Sequence, residues 1–335
     1  DQTHRHSEDA SYNEQFGNVD FYTISGLAQK YAGSYDDWEG LEEWLYKEGF
    51  PYKHVIIDEG QDFALLPTKE ESDRNVEIID ELREAALQSG GTFYLFYDRN
   101  QAIQGERNRT YDLPSYITDS DCRLTLYQNC RNTSAISQTS LTPLQLPQKR
   151  WSGSKVIDPW SVRVEKPVFH LLDDESLIVE TVNKVLDDLQ AKDVTDIVLL
   201  TVGTMAYTAL RDGLESLDEG ADKYWYYCYK RKRYRMTTAQ RFKGLEATAI
   251  IMVDLKPDSF AGKNGMVFYV GASRAKLFLD FVAVIPEGEY KNVIQSVKET
   301  EPVNKSAKRL RNVIQDLFHA KVEDTRLSSV SEINP

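Results

Sequence analysis

The stretch Tyr52-Lys53-His54-Val55-Ile56-Ile57-Asp58-Glu59-Gly60-Gln61-Asp62 decides how this chain is read. Its apolar run from Tyr52 to Ile57 has the length of a buried strand and stops abruptly at two acids. Downstream, between Asp73 and Gln88, Val76, Ile79, Leu82 and Ala86 recur at helical spacing. Phe93 to Tyr97 is a second apolar strand, again ending at an acid, Asp98. Strand, helix, strand in that order predicts a parallel βαβ unit. Open α/β sheets bind ligands beyond the carboxyl ends of their strands, where Asp58, Glu59 and Asp98 fall. One carboxylate there reaches a hydrated Mg²⁺ and the next faces a γ-phosphate, as ATP hydrolysis requires. A solvated turn after a buried strand has the same appearance, so the pair needs support from the rest of the chain.

Upstream, residues 1–18 are polar, and Val19 to Ile24 predicts a short strand feeding a helix from about Gly26. Downstream the alternation restarts. Strands are predicted at Val168–Leu172, Ile197–Thr201, Tyr224–Tyr229, Ala249–Val253 and Leu277–Val284. Helices are predicted over Ile178–Leu189, Met205–Leu217 and about Tyr269–Ala275. The fold class expected is α/β, with a second domain built on a mostly parallel sheet and a join near Pro114 to Asp121. The expected divisions are a polar lead over 1–18, a first domain over 19–116, a second over 117–290 and a charged helical tail over 291–335.

Composition sets the outer limits. The 335 residues, 41% hydrophobic and 28% charged, suit a soluble protein of two ordinary domains. No apolar run approaches the roughly 18 residues needed to span a bilayer, and the polar start is no signal peptide. Cys122, Cys130 and Cys228 lie far apart, with neither metal-ligand nor disulfide spacing, and the five histidines form no ligand pattern. A cytoplasmic location is expected. The net charge of −13 opposes a protein coated in nucleic acid and leaves room for a local basic groove.

Five motifs in order resemble those of the UvrD/Rep-like superfamily 1 DNA helicases. Val55 to Asp62 resembles motif II, and Tyr97-Asp98-Arg99-Asn100-Gln101 resembles motif III. Leu126-Tyr127-Gln128-Asn129-Cys130-Arg131-Asn132-Thr133 resembles motif IV. Thr237-Thr238-Ala239-Gln240-Arg241-Phe242-Lys243-Gly244-Leu245-Glu246 resembles motif V, and Phe268 to Lys276 resembles motif VI. The resemblance spans about residues 19–284. It implies two RecA-like domains closing on ATP and Mg²⁺, with movement along single-stranded DNA as the output. Asp58 would hold Mg²⁺ together with Glu59, which would also be the general base. Gln101 would sense the γ-phosphate, with Asp98, Lys243 and Gly244 beside the nucleotide. Arg131 and Arg274 would be arginine fingers, and Glu246 would accept from the ribose. Thr237 and Thr238 would hold a DNA phosphate.

The residues themselves leave plainer readings open. Arg131 and Arg274 also suit salt bridges, and Thr237 and Thr238 suit a loop end closed by side-chain to backbone bonds. The run Tyr229-Lys230-Arg231-Lys232-Arg233-Tyr234-Arg235 suits a phosphate-tracking surface, with Arg233 and Arg235 as contacts, or equally an edge strand protected by charge.

The chain departs from the family pattern in four places. No Gly-x-x-x-x-Gly-Lys-Ser/Thr phosphate loop occurs. Neither Ser152-Gly153-Ser154-Lys155 nor Gly262-Lys263-Asn264 has its spacing. With Asp1 rather than Met at the start, this predicts a truncated first domain in a chain inactive alone, cut from an ATPase parent. Cys130 replaces the usual Tyr before the motif IV arginine. Gln104 and Glu106 stand where base-stacking aromatics usually follow motif III. The short spacings around motifs II and V resemble compact helicases fused to nuclease-related domains, so a fused or separate nuclease-type partner is expected. A non-catalytic nucleic-acid-binding or regulatory module is the rival reading, and an RNA-directed enzyme a third.

Overall fold

The computed structural model describes residues 18–47, 50–60, 69–98, 120, 122, 124, 128–129, 131–144, 155–156, 165–219, 222–298 and 306–324. These fall into two compact units, one running to Asp98 with Ser120 and Cys122, the other from Leu124 onward. The expected join lies almost wholly outside the described residues.

In the first unit, helices α1 (Ile24–Tyr31) and α2 (Trp38–Lys47) precede strand β1 (His54–Ile57). Helix α3 (Lys69–Gln88) then leads to β2 (Thr92–Leu95), which pairs parallel with β1, Ile57 opposite Leu95. Leu27, Leu41, Leu45, Ile57, Ile78, Ile79 and Leu82 form the core between the helices and one sheet face. The strand expected at Val19–Ile24 is absent. Thr23 is extended and its side chain accepts from Gly26 N, which makes it the N-cap that starts α1 at Ile24. A cap bond made within the segment replaces the pairing a strand would have needed.

The second unit is built on an eight-stranded, mostly parallel sheet in the order β12-β5-β11-β10-β6-β9-β8-β7. Its strands are β5 (Val168–Leu172), β6 (Ile197–Thr201), β7 (Leu214–Glu219), β8 (Asp222–Tyr229), β9 (Lys232–Thr238), β10 (Ala247–Leu255), β11 (Ala275–Val284) and β12 (Lys321–Asp324). The six strands from β12 to β9 are parallel, and β8 and β7 continue the sheet antiparallel. A short parallel pair, β3 (Gln128–Asn129) with β4 (Lys155–Val156), stands apart from it. Between β3 and β4 comes helix α4 (Ser134–Leu141).

Apolar residues on both sides of β10 explain why helices cover both faces. Ile250, Met252 and Leu255 pack with α6 (Gly262–Ala272), α7 (Tyr290–Lys298) and α8 (Ala307–Phe318), whereas Ala249, Ile251 and Val253 pack with α5 (Ile178–Ala191). Among the described residues, no helix is long and apolar enough to cross a membrane.

Three sequence expectations change here. The helix expected over Met205–Leu217 is a loop, a 3-10 turn at Arg211–Gly213 and then β7. Pairing of Leu214 with Tyr227 and capture of Ala209 N by the Asp254 carboxylate take the backbone groups a helix would have used. Helix α6 begins at Gly262 and ends at Ala272, so β11 already starts at Ala275, where the helix was expected to finish. Among the described residues beyond 290, α7 and α8 are helical and Lys321–Asp324 is a strand, and they belong to the core rather than to a tail. Leu310, Ile314 and Phe318 are buried, and β12 pairs with β5. Phe318 lies 4.9 Å from Phe169 and 5.2 Å from Phe260, ring centre to ring centre. Phe318→Ala is expected to lower the unfolding free energy of this unit by about 3–5 kcal/mol in a urea titration, whereas a loose tail predicts under about 1 kcal/mol.

Candidate functional site

The first unit carries acids at the carboxyl end of its two strands. The ladder runs one step past β1 and β2, with Phe96 N donating to Ile57 O and Gly60 N to Phe96 O, both at 2.8 Å. Asp58 is exposed, and its Oδ1 accepts from Glu59 N at 2.9 Å. Glu59 adopts a left-handed backbone, φ 54°, a sparsely populated state for a side-chain-bearing residue. Asp98 follows β2 by three residues and is half-buried. Gln101 lies outside the described residues. Among the described residues, no three acids, histidines or cysteines converge to hold a metal. One or two carboxylates suffice for Mg²⁺, which keeps most of its waters and leans on substrate phosphates.

The second unit brings together residues from three remote segments. Asn129 closes an Asx turn: its Oδ1 accepts from Arg131 N at 3.0 Å and from Asn132 N at 3.1 Å. Its amide in turn donates to Asn132 Oδ1 at 3.0 Å. Asn132 is buried, and its own amide donates to Ser273 O at 2.9 Å and Ala275 O at 2.6 Å, the carbonyls on either side of Arg274. Arg131 Nε donates to Glu246 Oε2 at 2.9 Å, and Lys276 Nζ reaches Glu246 Oε1 at 2.6 Å. Lys276 first, and Arg131 after it, hold the Glu246 carboxyl below the ordinary glutamate range. Glu246 directly precedes β10 and Arg274 directly precedes β11, so the cluster stands at the amino ends of those strands.

The four charged residues differ in access. Arg131, Glu246 and Lys276 are each about 40% exposed at the side chain. Arg274 is 1% exposed, its Nε donating to Val270 O and its Nη2 to Ser273 Oγ, so it closes the end of α6. Gly271 packs α6 against β10 and the turn after β9. A Cβ there would sit 2.8 Å from Met252 and 3.1 Å from Ala239. Gly244 turns the chain toward β10 with φ 81°, a conformation that favours glycine. Lys243, one residue earlier, is half-buried in the same turn.

The residues expected at nucleic acid fall elsewhere. Thr237 and Thr238 end β9 at the carboxyl edge of the sheet, and Thr238 Oγ1 accepts from Arg241 N at 3.2 Å, the loop-closing bond of the plainer reading. The basic run forms the β8–β9 hairpin, whose two turn residues, Lys230 and Arg231, are both left-handed. Its charges are largely matched internally. Arg233 pairs with Glu215 and Lys230 with Asp187, and the Arg235 guanidinium lies 5.7 Å from the Tyr224 and Phe242 ring centres. Sequence spacing did not reveal the Asn129–Asn132 clamp or the role of Lys276. The Asn-x-x-Asn pattern beside Arg131 was its faint signal.

No family model matches the chain, and no curated protein matches it. A crystal structure of the C-terminal domain of a possible DNA helicase from Lactobacillus plantarum WCFS1 is similar at a TM-score of 0.32 and 16% identity. The likeness covers 46% of this chain and 87% of that domain. A likeness at that level leaves the site to be read from its own residues.

Two outcomes check the cluster. Asn132→Ala strands two buried carbonyls and is expected to destabilise the second unit by about 1–3 kcal/mol in a urea titration; no change removes the clamp. In an NMR titration the Glu246 carboxyl is expected to protonate below the usual glutamate midpoint, with Lys276→Ala raising it more than Arg131→Ala. Because this folded-state value is depressed, the ion pairs stabilise the fold above the unfolded glutamate range and fade as pH falls through the lower folded one.

Proposed function

We propose that this chain is part of an ATP-driven translocase or helicase acting on single-stranded DNA, its two units corresponding to RecA-like domains. In this reading Asp58 and Glu59 hold Mg²⁺ and Glu59 takes the proton of the attacking water. Asp98 and Gln101 stand near the γ-phosphate, Lys243, Gly244 and Glu246 near the nucleotide, and Arg131 with Arg274 serve as the arginine fingers. Thr237 and Thr238 hold a backbone phosphate of the DNA. A fused or separate nuclease-type partner is part of the same proposal, as is a cytoplasmic location.

The observation that carries the reading is the convergence of Arg131 with Glu246, Arg274 and Lys276, residues more than a hundred positions further along the chain, at the amino ends of β10 and β11. An arginine directed at a transferring phosphoryl group is worth roughly 10³–10⁵ in rate. Arg131 and Glu246, each assigned to the nucleotide, hold one another here. ATP binding is then an exchange of partners: Glu246 turns to the ribose and Arg131 to the triphosphate. Arg274 must leave its bonds at the end of α6, and that release couples turnover to movement of the α6–β11 junction.

The lack of any phosphate-loop pattern among the 335 residues supports the second reading, a nucleic-acid-binding or regulatory module without turnover. DNA-stimulated ATP hydrolysis by the gene product that carries this sequence separates the two. Wild-type activity with a loss of at least a hundredfold in Glu59→Gln is expected. Activity that survives Glu59→Gln, or is absent in the wild type, contradicts the enzyme.

A further inference from the structure

We propose that single-stranded nucleic acid runs over the carboxyl edge of the β6–β9 half of the second sheet, with Tyr207 stacking on a base and Arg241 and Arg211 facing phosphates. The proposal deepens the nucleic-acid part of the functional reading and moves the contact surface away from the basic hairpin.

Tyr207 is 89% exposed, far more than an aromatic ring needs for its hydroxyl to reach water. The loop that carries it, 202–213, is nonetheless built firmly. Asp254, itself left-handed at φ 62°, accepts from Ala209 N at 3.0 Å and from the buried Thr201 Oγ1 at 2.6 Å. Arg211 Nη1 donates to Ala206 O at 2.7 Å, beside Tyr207. Thr201 ends β6, pairs in register with Thr238 of β9, and its carbonyl accepts from Ala239 N at 3.0 Å. The backbone that carries the exposed ring is therefore anchored at the carboxyl end of β6, the strand that pairs with the Thr237–Thr238 end of β9. An aromatic on an anchored backbone gives up only its side-chain freedom on stacking with a base.

Charge points the same way. Arg241 is exposed and three residues past Thr238, and neither it nor Arg211 has a carboxylate partner among the described residues. Three of the hairpin cations, by contrast, are engaged: Lys230 with Asp187, Arg233 with Glu215 and Lys232 with Gln190. Asp212 is the single acid of loop 202–213, and Asp254 is occupied by its two donors. Guanidinium groups without a carboxylate partner, hydroxyls and an exposed ring at one end of the sheet suit a phosphodiester chain with unpaired bases. Sequence sharpens the point, because Gln104 and Glu106 stand where stacking aromatics of motif III would be expected.

The test is fluorescence anisotropy of labelled oligodeoxythymidine and oligouridine on the whole chain over a series of salt concentrations. Circular dichroism verifies that each variant folds. Tyr207→Ala is expected to weaken binding about 5- to 150-fold, and Tyr207→Phe to stay within about twofold of wild type. Arg241→Ala is expected to lower the slope of log affinity against log salt by about 1. Arg233→Ala should leave binding unchanged. Loss in Arg233→Ala with Tyr207→Ala unaffected overturns this path while leaving the enzyme reading intact. No binding by the wild type overturns the path as well. Loss of hydrolysis in Glu59→Gln alongside normal Tyr207→Ala binding also rejects the path alone.

Discussion

The buried side chain of Asn132 is the constraint on which the charged cluster depends. Its amide holds the carbonyls of Ser273 and Ala275, and its carbonyl accepts from Asn129. A buried amide forfeits free energy for every bond it fails to make, so its three partners are fixed in place together. Arg131 is bonded to it through the chain on one side, and Arg274 lies between its two acceptors on the other. One dry hydrogen-bonded contact therefore sets the positions of two arginines 143 residues apart, and Glu246 and Lys276 assemble around the more exposed of them.

The parallel sheet gives this unit two chemically different ends. At the amino ends of β10 and β11 stand Glu246, Arg274 and Lys276, with Arg131 joined to them. At the carboxyl ends of β6 and β9 stand Thr201, Thr237 and Thr238, with Arg241 beyond them and the Asp254-anchored loop nearby. The turn from Ala239 to Glu246 is the covalent path from one end to the other, and Gly271 of α6 packs against it at Ala239. A ligand that pulls Glu246 away from Arg131 thus acts on a segment whose other end is Thr238. Short, tightly packed connections of this kind carry strain because close-packed interiors yield little.

Much of the architecture was legible from residue pattern. The largely apolar runs at Val168–Leu172 and Ile197–Thr201 match the observed strands, because strands buried on both faces show little polar alternation to blur their limits. Val19–Ile24 was diverted by a local cap bond, and two other segments by backbone partners outside themselves. Met205 to Leu217 has helical spacing, and only the Asp254 carboxylate and the Tyr227 pairing divert it into loop and strand. Lys321–Asp324 carries three charges and a single apolar residue, Val322, so its place beside β5 could not be seen before the sheet existed. Among site residues, motif spelling pointed to Arg131 and Glu246 but not to their mutual ion pair. Nor did it mark Tyr207, whose meaning comes from its exposure rather than its neighbours in sequence.

The central claim is that the Arg131–Glu246–Lys276 cluster is made to exchange its internal ion pairs for a nucleotide. NMR observation of the Arg131 Nε–H and Glu246 carboxyl resonances during titration with MgATP tests it most directly. Both signals are expected to move together and to saturate with one dissociation constant, with Lys276→Ala altering that constant. Signals that stay fixed at the highest nucleotide concentration, or shifts confined to residues away from the amino ends of β10 and β11, would contradict it.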